Sequence, residues 1–344
     1  MKLLVTTGPG LWHEPYGHIV VVDWPTGRVI DSLRWRLTVH DKSHKGIAGA
    51  WRDGRMLYAV TESEVLCVEL APLRPVRVTT YRWANDLHHV CAASGRLWVC
   101  NSGLECVDEL DLDSLRIVRT WNLLEWAGRR FRAFYRVTVT AARRAWRRRT
   151  GGEDFYPHLT RNGSFPYYKK MLYPRRFLRI AQRVGDYRKA DLRPHVLHPN
   201  HCFPYKGDIF VTVFGTGEVL TLKSGTILAR GLGRPHDGLV VGDTLYVTDC
   251  ASNVIRSVKL GPAAKCQEVV AVTSELVEGF LRELYVSDNR LWAGLTARRG
   301  APEHLRRARI VELDRRTGQR VRQWELPVKY GTSVFSILDV SDLY

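Results

Sequence analysis

The stretch Pro235–Asp249, PHDGLVVGDTLYVTD, contains two apolar runs separated by Gly242-Asp243. Apolar and β-branched residues on either side of a short Gly-containing turn predict a β-hairpin. Similar pairs of runs recur along the chain, and this recurrence indicates a repeated structural unit. The other copies are Lys45–Val60, Asp86–Asn101, Asn200–Phe214 and Leu281–Gly294, with predicted turns at Gly95-Arg96, Gly207-Asp208 and Asp288-Asn289.

Two further strand-like runs follow several of these hairpins. Glu105–Leu110 is followed by Arg116–Trp121, and Arg309–Leu313 is followed by Arg320–Trp324. Four strands in a repeat of roughly 40 residues are typical of one blade of a β-propeller. The pattern therefore predicts an all-β fold in which similar sheets are arranged around a central channel.

The two ends of the chain together supply one more blade. Thr332–Val340 has the pattern of an innermost strand, and the N-terminal strands Lys2–Thr6, His18–Asp23 and Arg28–Leu33 would complete its sheet. Such a blade closes the ring and removes two open sheet edges. The count predicts a six-bladed β-propeller, with five or seven blades left open because an insertion could hide strands.

That insertion, residues 123–195, interrupts a propeller that we expect to span residues 1–344. It carries 19 Lys and Arg against 5 Asp and Glu, a local net charge of +14 out of +17 for the chain. Apolar residues from Leu124 to Trp146 recur at three- and four-residue steps, which predicts a partly helical segment. The arginines either remain in water on a lid or contact an anionic membrane surface or glycan.

Composition excludes several other classes of protein. No apolar run approaches the ~18–20 residues that span a bilayer, and the first residues lack a signal-peptide pattern. A cytoplasmic protein is therefore expected, with peripheral attachment to a membrane as the alternative. The seven cysteines form no CxxC pair and fit small buried side chains better than zinc or disulfide roles. No sequence signature for specific nucleic-acid readout is present.

Polar residues recur where the inner strands of the predicted blades begin. Alignment on the second strands brings His88-His89, Asn200-His201, His236-Asp237 and Arg282-Glu283 to equivalent positions, whereas Ala48-Gly49 and Thr332-Ser333 occupy the other two blades. Imidazole and carboxylate are common metal ligands, and a ring allows residues distant in sequence to converge. A metal centre and a metal-free polar pocket are both compatible with this pattern.

For a metal centre, the predicted ligands are His89, His201, His236 and Glu283, with zinc, manganese, iron or calcium as the ion. Arg282 and Asp237 would then be the orienting or acid–base groups of a metal-dependent hydrolase or lyase. For a binding protein, the channel mouth would take a polar or anionic small ligand or a glycan. Three further residues are predicted to bind this ligand: His88, Asn200 and Arg234.

The C-terminal part also resembles a known group of proteins. PHDGL, GFLREL and WAGL follow one another between Arg230 and Val340, an order similar to that of bacterial propellers described as conserved hypothetical proteins. This resemblance implies the propeller and no activity, and the basic insertion departs from it. A looser likeness to lactonase-like propellers and to the peptide-amidating lyase implies a metal in the channel, by analogy of fold alone.

Overall fold

The computed structural model describes residues 1–8, 15–38, 45–125, 186, 188, 195, 197–261, 266–267, 279–287, 289–297 and 307–344. Within these residues the chain forms six four-stranded antiparallel sheets arranged in a ring, which confirms the predicted six-bladed β-propeller. Nearly all of the predicted basic insertion lies outside the described residues. No helix in the described part of the chain is long and apolar enough to cross a bilayer.

Blade 1 contains both ends of the chain, as the sequence predicts. Its innermost strand is the C-terminal β24, which pairs with β1, and β2 and β3 follow outward. The register places Leu4 opposite Leu338 and Val5 opposite Ile337. The strands are β1 (Lys2–Gly8), β2 (Tyr16–Asp23), β3 (Arg28–Arg36) and β24 (Ser333–Asp339), and a 3-10 turn, Val328–Tyr330, precedes β24.

The next two blades follow in sequence order, each from its innermost to its outermost strand. Blade 2 consists of β4 (Gly49–Asp53), β5 (Met56–Val60), β6 (Glu64–Glu69) and β7 (Arg74–Thr80). Blade 3 consists of β8 (Leu87–Ala93), β9 (Arg96–Asn101), β10 (Cys106–Asp111) and β11 (Ile117–Asn122).

The remaining three blades repeat this arrangement. Blade 4 consists of β12 (Pro199–Tyr205), β13 (Asp208–Val213), β14 (Glu218–Thr221) and β15 (Ile227–Arg230). Blade 5 consists of β16 (Leu239–Val241), β17 (Thr244–Asp249), β18 (Val254–Lys259) and β19 (Cys266–Gln267). Blade 6 consists of β20 (Gly279–Val286), β21 (Arg290–Ala297), β22 (Arg309–Asp314) and β23 (Arg320–Glu325).

The hairpin turns lie one residue earlier than predicted in two blades. Ser94-Gly95 and Lys206-Gly207 are the two-residue loops, and all four residues have positive φ, between 47° and 76°. Two consecutive positive φ values define the turn whose twist matches that of the flanking strands. Glycine therefore occupies the second turn position, and the preceding Ser94 or Lys206 accepts the left-handed conformation as well.

The core is divided among the contacts between blades. The described residues form six apolar clusters, and each cluster joins residues of two neighbouring blades. Cys91 and Cys202 meet between blades 3 and 4, for example, and Leu3 meets Ile310 between blades 1 and 6. Five of the cysteines are buried and unbridged, Cys250 is partly buried and unbridged, and the side chain of Cys266 is outside the described set.

The closing strand gives a test of this arrangement. Ile337 in β24 is 2% exposed and packs in the cluster between blades 1 and 6. Ile337→Ala should lower the free energy of unfolding by about 2–5 kcal/mol, because it opens a cavity in a closed interface. Val321→Ala, on the outer strand β23 where the residue is 47% exposed, is the control and should change stability by less than about 0.5 kcal/mol. Chemical denaturation measures both, and equal effects would contradict the placement of β24.

Candidate functional site

The starts of the inner strands meet at one mouth of the central channel. Five inner strands are the first strand of their sheet in chain order, and β24 takes that position in blade 1. Contacts between their leading segments bring those segments together at one end of the channel. Lys45 precedes β4, Asp86 precedes β8, His198 precedes β12 and His236 precedes β16, whereas Arg282 lies near the start of β20. Side chains from five blades are thereby placed around the same opening.

Irregular pairing marks three of these inner strands at the mouth. The register shifts between Leu87 and Val90, between Pro199 and His201, and between Arg282 and Leu284. Such bulges redirect side chains and are frequent beside functional sites. The backbone is left-handed at three nearby residues, with φ of 53° at Asp86, 55° at His198 and 55° at Glu283.

Lys45 and Asp86 form an ion pair inside the mouth, and both side chains are less than a fifth exposed. The Lys45 ammonium also lies 2.8 Å from Nε2 and 3.2 Å from Nδ1 of His88. Ser102 Oγ is 3.0 Å from His88 Nδ1 and donates a hydrogen bond of 2.5 Å to the carbonyl oxygen of Pro199. The His88 ring is thus held between a lysine and a serine from separate segments.

Two more histidines extend this group. His195 Nδ1 lies 3.4 Å from Asp86 Oδ2 and 2.6 Å from His198 Nδ1. The His198 ring meets the His88 ring edge to face at a centroid distance of 4.4 Å. The carboxylate of Glu105 accepts hydrogen bonds from the backbone N–H groups of Leu197 and His198, at 2.9 and 2.8 Å. Glu105 therefore fixes the segment that carries His198.

Asp86, His88 and His198 have the spacing of a metal site. One ligand atom from each lies within 4.8 Å of the other two, and among the described residues this is the group with that property. His88 was predicted as a ligand-binding residue, whereas Asp86 and His198 were not predicted at all. None of the four predicted metal ligands belongs to this group, so the predicted set stays a prediction.

The predicted histidines nonetheless meet in pairs across blades. His89 of blade 3 stacks on His201 of blade 4 with ring centroids 3.7 Å apart. His88 and His236, from blades 3 and 5, have centroids 6.2 Å apart.

A Cβ at Gly49 would lie 2.3 Å from the carbonyl oxygen of His88, so glycine permits the close approach of β4 to the segment that carries His88.

Several buried polar atoms near the mouth have no hydrogen-bond partner among the described residues. They are Oδ1 of Asn200, Nδ1 of His201, Nδ1 of His236 and Oδ2 of Asp237. The other polar atoms of two of these side chains are bonded: Asn200 Nδ2 donates to the Pro235 carbonyl at 2.9 Å, and Asp237 Oδ1 accepts from Thr248 N at 2.6 Å. A buried unsatisfied group costs roughly 1–3 kcal/mol, so these atoms require partners such as ligand or water.

Burial controls the charges of these groups. It raises the pKa of Asp237 to about 7, and burial together with the nearby Asp237 raises the pKa of Glu283 well above its usual range. Burial lowers the pKa of His201 and of His236 well below the usual range, which favours neutral imidazoles. Burial of Asp86 acts to raise its pKa, but Lys45 and the neighbouring histidines hold that pKa well below the usual range.

The two predicted arginines lie in different surroundings. The Arg282 guanidinium is half-buried and 5.4 Å from the centroid of the Phe335 ring, and its charge helps to lower the pKa of His236. Arg234 is exposed, with its guanidinium 5.8 Å from the centroid of the Phe214 ring. Arg282 is therefore positioned to act within the mouth, whereas Arg234 lies at its solvent-exposed side.

Sequence reasoning missed Lys45, Asp86, His195 and His198. The alignment compared one pair of positions in each blade, and it read Ala48-Gly49 in blade 2, His88-His89 in blade 3 and Asn200-His201 in blade 4. The missed residues lie one to four positions upstream, in the segments that lead into these strands. A search for charged and imidazole side chains in those leading segments would have found all four.

Comparison with known proteins supports the fold. No protein-family description matches the chain, and no curated protein is detectably similar in sequence. A solved protein of unknown function from Bacteroides caccae is 14% identical, with a TM-score of 0.58 over 98% of this chain and 97% of the other. A chain of a nidogen/laminin complex is 10% identical, with a TM-score of 0.52 over 98% of this chain and 96% of the other.

A Bacteroides fragilis protein described as a candidate 6-phosphogluconolactonase is 10% identical, with a TM-score of 0.49 over 95% of this chain and 82% of the other. The two neighbours with TM-scores above 0.5 show the shared fold and nothing of the ligand. The predicted resemblance to uncharacterised bacterial propellers is thus confirmed at the level of the fold.

Proposed function

We propose that the protein binds a small polar or anionic ligand, or a glycan, at the channel mouth. The observation that carries this proposal is the set of buried polar atoms without partners on Asn200, His201, His236 and Asp237. Hydroxyl, carboxylate or amide groups of a ligand would supply the missing hydrogen bonds. A pocket of this kind, with a few convergent polar groups in a cleft, is the usual form of a small-molecule site.

The charges favour a ligand that is neutral or negative. Lys45 is offset by the ionised Asp86, while the raised pKa of Glu283 favours an uncharged carboxyl. The positive charge of Arg282 acts on the imidazole of His236, which burial keeps neutral. In such a low-dielectric setting a guanidinium binds carboxylate or phosphate groups strongly.

Calorimetric titration of the purified protein with inorganic phosphate, gluconate and glucose tests this proposal. We expect binding of gluconate or phosphate, weakened at least tenfold by Arg282→Gln, because the substitution removes the cation from the mouth. Arg290→Gln is the matched control, since Arg290 pairs with Glu312 and Asp314 near the opposite end of β20. Failure of all three probes to bind, or equal weakening by both substitutions, would contradict the assignment.

A second candidate function is a metal-dependent hydrolase or lyase. It is favoured by the convergence of imidazoles from separate blades and by the donor set of Asp86, His88 and His198, which suits a transition-metal ion. The metal would supply Lewis-acid chemistry, with Arg282 and Asp237 as orienting and acid–base groups. As the side chains are arranged, however, the Lys45 ammonium already lies against Asp86 and His88.

Metal analysis of protein purified without an affinity tag separates the two candidates. If the protein is a metal-dependent enzyme, the wild type should contain close to one equivalent of zinc, manganese or iron. His201→Ala should then remove that metal if the predicted ligands are correct. His304→Ala, which removes a histidine that is not among the predicted ligands, serves as the control. Less than about a tenth of an equivalent, unchanged when metal is added back, would eliminate the enzyme as formulated.

For the basic segment, residues 123–195, we propose contact with an anionic membrane surface or another anionic partner. The support is its local net charge of +14 together with the helical spacing of its apolar residues. Replacing the five arginines between Arg143 and Arg149 by glutamine should weaken sedimentation with phosphatidylserine vesicles at least tenfold. Raising the salt concentration should do the same. Binding that is insensitive to both changes would refute an electrostatic contact.

A further inference from the structure

The ion pair between Lys45 and Asp86 lies within the group of residues that has the spacing of a metal site. Asp86, His88 and His198 bring one ligand atom each to within 4.8 Å of the others. Lys45 Nζ contacts two members of this group, the Asp86 carboxylate and the His88 ring, the latter at 2.8 Å. A positive charge of the chain itself is therefore held against the atoms that would bind a cation.

We infer that Asp86, His88 and His198 form a latent site for a divalent transition-metal ion, and that the Lys45 ammonium excludes the ion from it. Two imidazoles and one carboxylate suit zinc, cobalt or copper better than calcium or magnesium, which prefer all-oxygen sites. The inference does not depend on the small ligand proposed above, because it concerns only which cation these three residues hold.

The exclusion has a simple electrostatic basis. A divalent ion at this position would need the same Asp86 oxygen and His88 nitrogen that now contact the ammonium, and it would face a positive charge only a few ångströms away. Two cations at such a separation in a partly buried setting repel by several kcal/mol at an effective dielectric constant of about 20. Metal can therefore bind only when Lys45 moves away or loses its charge.

The backbone around the site supports a preformed arrangement. Asp86 and His198 both have left-handed backbone conformations, which cost roughly 1–3 kcal/mol each and persist when the surroundings hold them. His198 is held by the hydrogen bonds from its own and the preceding N–H groups to Glu105, and His88 by Ser102. The ligand residues thus retain their positions when Lys45 is replaced.

Cobalt titration followed by visible absorption tests the inference, because coordinated Co²⁺ gives a spectroscopic signature independent of any activity. Lys45→Met, which keeps the length of the side chain without its charge, should bind Co²⁺ at least tenfold more tightly than the wild type. The same variant with His198→Ala should lose that gain. Lys45→Arg should exclude the ion as the wild type does, because the charge is kept.

Lys2→Met is the matched control. Lys2 pairs with Asp23 at 2.5 Å, with side-chain exposures of 25% and 19% against 18% and 19% for Lys45 and Asp86. Lys2→Met removes the same charge from a similar ion pair outside the channel mouth, so it should leave the affinity for Co²⁺ unchanged. Equal affinities of Lys45→Met and Lys2→Met, or equal affinities with and without His198, would overturn the inference.

Thermal unfolding covers the case in which Lys45→Met is too unstable for titration. The substitution leaves the Asp86 carboxylate without its cation, so the variant should melt at a lower temperature than the wild type in metal-free buffer. Co²⁺ should restore the lost stability of this variant by binding its native state, and should leave the wild type unchanged. A melting temperature of Lys45→Met that does not respond to Co²⁺ would equally overturn the inference.

Discussion

The pairing of β24 with β1 is the constraint on which the remaining structure depends. It joins the two ends of the chain in one sheet, and six apolar clusters then fill the contacts between neighbouring blades around the ring. Closure pairs β24 and β1 with each other, so neither strand keeps that edge open. It also fixes the distance across the channel, so that Lys45 from blade 2 and Arg282 from blade 6 both influence the same histidine, His236.

The polar mouth depends on this apolar ring for its chemistry. Because the clusters exclude water from the blades, His201 and His236 are buried, and burial lowers the pKa of each imidazole so that the neutral form is favoured. Asp86 keeps its charge in the same surroundings because Lys45 is beside it. The bulges in β8, β12 and β20 add residues that regular pairing would not accommodate, and the channel mouth gains polar groups through these irregular positions.

The architecture could be predicted from the sequence because the strands of a hairpin are formed by residues that lie close together in the chain. Each hairpin depends on residues within about 15 positions, and the pattern of Thr332–Val340 identified the strand that pairs across the whole chain. The sequence also singled out histidines that lie close together across blades, since His88 is near His236 and His89 stacks on His201. The sequence analysis did not predict three residues of the site, Lys45, Asp86 and His198. They lie in segments that lead into the strands, and Asp86 and His198 have left-handed backbone conformations. Strand periodicity indicates neither feature.

The two candidate functions differ in which cation lies beside Asp86, the Lys45 ammonium or a metal ion. In the proposed binding protein, the Lys45 ammonium neutralises the Asp86 carboxylate, His201 and His236 offer hydrogen bonds to a ligand, and Arg282 favours anions. With a metal ion in the same place, the carboxylate and the imidazoles would be committed to coordination, and the mouth would gain a Lewis acid instead. Under the proposed exclusion of metal, the Lys45 side chain on the segment before β4 decides whether the channel mouth acts through hydrogen bonds or through a metal.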